Sequence, residues 1–214
     1  MSLFSLLGLA QQISTEVGRV TTRFDYENSD GEQHENLNND SGFSYAVSYR
    51  HQLSPKLFLG GRATFNQYGS FGSDPVYNNY YSWKTDYLGL GLELDGEFYR
   101  RGGLSVITSV GGSPQFFLNG TQTTNTQVAD LKGVEQFDRP FFFLHGGLGL
   151  NYCFDQKAAI CVRYRYGLGK PMGTSDDLEK LDLTTHTINI GVMWNFINCK
   201  YCIVSKFVKK RKIG

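Results

Sequence analysis

The sequence predicts an all-β fold: an eight-stranded antiparallel up-and-down transmembrane β-barrel with short periplasmic turns and long extracellular loops. Three observations predict it. Apolar and polar residues alternate with a period of two along almost all of the 214 residues, the repeat of a strand with two unlike faces. No run of about 20 apolar residues is available for a membrane helix, and the mean hydropathy is −0.32. A barrel hides its apolar band in alternate positions, where window averaging cancels it. Finally, short and long connections alternate through four hairpins, which a soluble meander has no reason to do.

The strands follow in order. "RVTTRFDY" sets Val20, Thr22, Phe24 and Tyr26 against Arg19, Thr21, Arg23 and Asp25. "GFSYAVSYR" puts Phe43, Tyr45, Val47 and Tyr49 on one face, with Ser44, Ala46, Ser48 and Arg50 on the other. "LFLGGRATF" opposes Leu57, Leu59, Ala63 and Phe65 to Gly60, Arg62 and Thr64. "YLGLGLELDGE" is the cleanest, with Leu88, Leu90, Leu92 and Leu94 against Gly89, Gly91, Glu93 and Asp95.

The second half repeats the scheme. "LSVITSVGG" carries Leu104, Val106 and Val110 on its apolar face, Ile107 interrupts the polar one, and Pro114 marks a bulge or bend. "LHGGLGLNYCF" sets Leu144, Leu148, Leu150, Tyr152 and Phe154 against His145, Asn151 and Cys153. "AICVRYRYGLG" sets Ile160, Val162, Tyr164, Tyr166 and Leu168 against Arg163 and Arg165. "HTINIGVMWNF" closes with Ile188, Ile190, Val192, Trp194 and Phe196. Tight links fall at 54–56, 100–103 and 155–157. Long polar loops fall at about 27–41, 69–82, 119–140 and 170–182.

Alternation alone does not say which face meets lipid. A soluble lipocalin-type barrel would turn the apolar stripe inward. The loop asymmetry argues for lipid outside, as do aromatics near strand ends: Phe24, Tyr26, Phe43, Tyr49, Trp83, Tyr152, Phe154, Tyr166, Trp194 and Phe196. The polar stripe then fills the lumen as a charge network of Arg19, Arg23, Asp25, Arg62, Glu93, Asp95, Glu97, Arg163 and Arg165, with Arg163 and Arg165 facing the acids of the fourth strand. An eight-stranded barrel is just wide enough for such side chains to fill.

On these strands, and above all on the closing "INIGVMWNF", the chain resembles the eight-stranded outer-membrane barrels of the OmpA/OmpX-like, opacity-protein type over residues 12–196. The resemblance implies a Gram-negative outer membrane, contact with its lipid and lipopolysaccharide, and insertion by the barrel-assembly machinery through the signal of Ile188, Ile190, Val192, Trp194 and Phe196. It implies a porin-like but plugged monomer that acts through its outer loops, in adhesion, surface interaction or envelope integrity, with an extracellular partner at those loops.

Residues 1–10 read as a signal segment without the usual positive start, Gly8 and Ala10 preceding a cleavage at Gln11. Residues 11–196 form the barrel and 197–214 a basic tail outside it. Six of the 21 basic residues (Lys200, Lys206, Lys209, Lys210, Arg211 and Lys212) lie in that tail without an acid. The body therefore holds 15 against 20 acids and a formal charge of −5, which removes the hint of nucleic-acid binding.

Little chemistry is legible. His34, His51, His145 and His186 are scattered without metal-ligand spacing, and no cofactor motif occurs. Cys199 and Cys202 form a CxxC that lacks the second half of a zinc module. Cys153 and Cys161 flank the third tight turn with equal parity and are candidates for a disulfide in an oxidising compartment. His186 with Ser175 and Asp176 is the nearest approach to the Ser/His set of a lipid A-modifying enzyme, but no tight pattern accompanies it. The expectation is a non-enzyme, with a narrow ion-conducting pore as the alternative.

Overall fold

A computed structural model describes residues 11–27, 37–74, 79–155, 157–173 and 180–195. Its strands are β1 (Gln11–Glu27), β2 (Leu37–Ser54), β3 (Leu57–Asp74), β4 (Asn79–Arg101), β5 (Leu104–Thr124), β6 (Val128–Asp130), β7 (Phe141–Cys153), β8 (Ala158–Pro171) and β9 (Lys180–Asn195). A short helix α1 (Glu135–Asp138) precedes β7. Residues 1–10 and 196–214 lie outside the described residues, and with them the signal segment, Phe196, the tail and its CxxC.

Eight strands close a ring. Each pairs antiparallel with its neighbour, and β1 pairs with β9 from Gln12↔Asn195 to Glu27↔Lys180. Closure is what lipid demands, since an open edge would leave backbone groups unsatisfied in hydrocarbon. The ninth strand, β6, is only a flap on residues Thr121–Thr123 of β5, within the connection from β5 to β7. One tight turn is set by glycine: Gly102 and Gly103 follow each other at φ 58° and 85°, the type I′ geometry whose twist suits a two-residue hairpin.

The strands outrun the bilayer. β4 has 23 residues and β5 has 21, about twice the 9–11 that a spanning strand needs. The connection expected at 69–82 is therefore largely ladder, from Gln67↔Asp86 up to Asp74↔Asn79. Backbone pairing continues there while the apolar alternation that advertises it fades.

Within the lower half of the barrel the faces are as expected. Leu90, Leu92, Leu148, Ile188 and Ile190 point out and are about half exposed or more, whereas Glu93, Asp95, Arg163 and Arg165 are buried inside. Trp194 also faces outward and Val192 partly so. In the upper half the inner face also turns apolar, and on β1 and β9 the two faces exchange roles. Val20, Phe24, Tyr68, Tyr87, Phe141, Phe143, Leu181 and Leu183 form an apolar cluster inside, against which Tyr26, Trp83, Phe117 and Phe137 pack. Outside, Arg23, Asp25, Lys84 and Lys170 stand at the same level as the exposed Phe116, Leu118 and Phe142.

This exchange corrects the reading of the first strand. Arg19, Arg23 and Asp25 are not in the lumen: they are exposed on the outer face, where Arg23 and Asp25 pair at 2.8 Å. Phe24, Tyr26 and Trp83 belong to the inner cluster and not to an outer aromatic girdle. The strand begins at Gln11, so its inward set is Gln12, Ser14, Glu16, Val20, Thr22 and Phe24. Phe43, Tyr49, Tyr152, Phe154, Tyr166 and Trp194 do face outward. Pro114 sits in regular register opposite Phe142, while on its other side the pairing with β4 lapses between Gln115 and Gly112 without a register shift. The irregularities of β5 pairing fall instead between Asp86 and Tyr87 and between Glu97 and Tyr99 of β4.

The Cys153–Cys161 bridge is corrected as well. Cys161 is a free, buried thiol, and Cys153 is engaged in a disulfide elsewhere. The register pairs Cys153 with Ala159 and Cys161 with Asn151. The two cysteines are thus diagonal neighbours, about 7–8 Å apart in such ladders, beyond the usual reach of a disulfide.

Candidate functional site

The chemistry of the molecule is concentrated in the lower lumen. Glu16 from β1, Arg50 from β2, Arg62 from β3, Glu93, Asp95 and Glu97 from β4, and Arg163 and Arg165 from β8 are all buried there. Each unpartnered charge in such surroundings is costly, and the contacts show how the cost is met. Arg165 donates from Nε and Nη2 to the two oxygens of Glu93 at 3.0 and 3.1 Å, and from Nη1 to Glu16 at 3.2 Å. Arg62 donates to the same Glu16 oxygen at 2.8 Å. His145 approaches Glu93 at 3.2 Å.

Nearer the periplasmic rim, Arg50 donates to Asp95 and to Gln12, both at 2.6 Å, and lies 5.2 Å over the ring of Phe58. Gln12 in turn donates to Asn195 at 2.6 Å, tying the first strand to the last. Glu97 pairs with Arg100. Arg163 differs from the rest: it donates at 3.3 Å to the carbonyls of Leu150 and Val162, and among the described residues no carboxylate makes an ion-pair contact with it.

Glycine makes room for these long side chains. In the ladders Glu16 stands opposite Gly191, Arg50 opposite Gly60, Arg62 opposite Gly91, Arg163 opposite Gly149 and Arg165 opposite Gly147. Glu93 lies between Gly60 and Gly111. A Cβ on Gly149 would meet Arg163 Cδ and Ile107 Cγ1, each at 2.8 Å. The glycine richness of the strands is thus a packing requirement of the charge layer.

Above the charges the chemistry changes. Ser44 donates to Asn66 at 2.8 Å, Asn66 to the Tyr68 hydroxyl at 3.1 Å, and Tyr68 to Gln115 at 3.0 Å. Tyr68 then stacks on Phe143, with ring centroids 5.5 Å apart, and Tyr87 meets Phe141 edge-on at 5.8 Å. The Tyr87 hydroxyl donates to the carbonyl of Phe137 in α1 at 2.8 Å, and Leu131 just before that helix is buried. The connection from β5 to β7 therefore folds inward over the aromatic layer. Among the described residues, two cavities of about 50 and 30 Å³ lie within the lumen, the larger of them bordered by Arg62, Tyr68, His145 and Arg165 and the smaller by Gln12, Arg50 and Glu97.

Of the residues expected in the network, the structure brings together Arg62, Glu93, Asp95, Glu97, Arg163 and Arg165. Arg165 meets Glu93 as expected, whereas Arg163 does not meet an acid of β4. The partners missed by sequence reading are Glu16, Arg50 and His145. Glu16 had a signal: "QISTEV" alternates Gln12, Ser14 and Glu16 with Ile13, Thr15 and Val17, a continuation of the strand below Arg19. On the outer face His186 accepts from or donates to the Tyr164 hydroxyl at 2.8 Å, while Ser175 and Asp176 lie outside the described residues, as does His34.

A barrel with apolar residues outward below and a buried charge layer within matches one family. The model of the outer membrane protein beta-barrel domain covers residues 1–196. The chain belongs to that family. Its location is the outer membrane of a Gram-negative bacterium. Among solved structures, Neisserial surface protein A is similar at 13% identity and a TM-score of 0.55, covering 87% of this chain and 99% of that one. OprG of Pseudomonas aeruginosa is similar at 14% identity and a TM-score of 0.49, covering 86% and 95%. Ail of Yersinia pestis, at 18% identity and a TM-score of 0.42, covers 87% and 99%. At such identities the likeness is one of fold. No curated protein matches the chain.

Proposed function

We propose that this family member is a closed barrel whose interior is plugged by side chains and whose activity resides in its outer loops, in adhesion, surface interaction or envelope integrity, without enzymatic chemistry. One observation carries the reading: charged side chains from β1, β2, β3, β4 and β8 meet across the lower lumen, and an aromatic layer covers them. An eight-stranded wall leaves no width for a water column beside such a filling.

The outer connections are polar in sequence. "NGTQTTNTQ" is neutral, "ENSDGEQHENLNND" is acidic, and "DPVYNNYYSW" is rich in tyrosine and asparagine, which suits contact with an extracellular partner. Within the membrane the partners are lipid and lipopolysaccharide, and during insertion the barrel-assembly machinery; the protein acts as a monomer and binds no nucleic acid.

Planar-bilayer recording of the refolded protein tests the plug: the expected trace is silent, and stable unitary conductance would overturn it. Loop deletions, taken one at a time, are expected to remove binding to host or envelope surfaces while leaving the barrel folded. Retained binding in all four would refute the loop assignment. A narrow pore is the second reading, favoured by the two cavities that flank the charge layer; rearranged ion pairs would join them.

A further inference from the structure

We infer that the larger lumen cavity is a binding site for one small inorganic anion of the halide class. The cavity, about 50 Å³, exceeds the roughly 10–15 Å³ that a single water requires. Among the described residues that border it are two guanidinium groups, Arg62 and Arg165, but no carboxylate. Glu16 and Glu93 hold those guanidinium groups without bordering the cavity themselves.

The hydrogen-bonding inventory points the same way. Arg62 Nη1 and the Thr64 hydroxyl are buried without a partner, and Arg62 is more than nine-tenths buried. The amide oxygens bordering the cavity are already engaged: Asn66 Oδ1 accepts from Ser44, and Gln115 Oε1 accepts from Tyr68. Arg62 Nη1 is left over as a pure donor, beside a Thr64 hydroxyl that can turn to donate. A water could accept from Arg62 as well, but two guanidinium charges with no carboxylate at the border of the cavity favour an anion.

Local charge agrees. Arg62 and Arg165 bring two guanidinium groups to the border of the cavity, while Arg163, on the same strand as Arg165, rests on backbone carbonyls. One monovalent anion in the cavity would lie in that positive field. The inference does not depend on what the loops bind, and its test is separate from the conductance test of the plug.

Crystals of the full chain grown with sodium bromide in place of chloride provide the direct test. An anomalous peak within hydrogen-bonding distance of Arg62 Nη1 and Thr64 Oγ1 is expected; an ordered water there, or no density, overturns the inference. In solution, the unfolding midpoint of the refolded protein is expected to rise saturably by a few degrees as chloride replaces gluconate at constant ionic strength. Thr64→Val removes one donor and keeps the shape, so it is expected to flatten the response. Arg62→Gln would also release Glu16 and so is the less clean variant. Equal midpoints in both salts, or an undiminished response in Thr64→Val, would refute the site.

Discussion

Glu93 is the residue on which the lumen network turns, and Glu93→Ala is the perturbation that tests it. The side chain is 7% exposed and takes two parallel hydrogen bonds from Arg165, at 3.0 and 3.1 Å, with His145 at 3.2 Å. Truncation removes the acceptor and leaves the guanidinium in place. Breaking a buried pair in this way costs about 3–5 kcal/mol, because a buried charge is left without compensation. Arg165 keeps its 3.2 Å contact to Glu16, which places the expected loss near the lower end, about 3 kcal/mol.

The assay is equilibrium urea unfolding of protein refolded into lipid vesicles, read beside heat-modifiability on gels. With a denaturant slope of about 2 kcal/mol per molar, that loss moves the midpoint by roughly 1.5 M. Glu93→Gln retains an acceptor for Arg165 and is expected to lose less. In the double variant Glu93→Ala with Arg165→Met the stranded charge disappears, so the combined loss is expected to fall short of the sum of the single losses. An unchanged midpoint with unchanged heat-modifiability in Glu93→Ala would show that the pair does not hold the barrel together.

Further outcomes follow from the same geometry. Gly149→Ala drives a Cβ into Arg163 and Ile107 and is expected to cost about 1–3 kcal/mol by overpacking; a neutral result in the same urea assay would contradict the packing role of that glycine. Phe143→Ala opens the aromatic layer where it stacks on Tyr68, with an expected loss of about 3–5 kcal/mol, and a wild-type midpoint would argue against that layer as a core. Non-reducing mass spectrometry after alkylation in denaturant is expected to find Cys161 modified and Cys153 protected; a peptide joining the two would restore the cross-strand bridge. Deleting 197–214 is expected to leave folding into detergent intact, whereas Phe196→Ala or loss of 186–196 impairs membrane assembly. The opposite pattern would move the end of the barrel into the tail.

The sequence by itself determined the fold class, the number of membrane strands, the alternation of short and long connections, and the outward face wherever strands cross lipid. Periodicity carries that information because each strand of a closed barrel repeats the same two environments. Leu88, Leu90, Leu92 and Leu94 stand out in the sequence for this reason, and so do Ile188, Ile190 and Trp194. It also supplied six of the nine residues assigned to the lumen network.

Only the tertiary structure decided at what height each alternation changes meaning. Period two distinguishes two faces of a strand but does not name the medium on either side. In the membrane the dry side is outside; above it, on β1 and β9, the dry side is inside. Arg23 and Asp25 therefore face water, and Phe24 faces the core, on the same strand whose Glu16 lies in the lumen lower down. Pairing was equally out of reach, because cross-strand register depends on how all eight strands stagger as the ring closes. That stagger gave Arg50 to Asp95, joined Arg62 and Arg165 on Glu16, left Arg163 to backbone carbonyls, and set Cys153 two pairs away from Cys161.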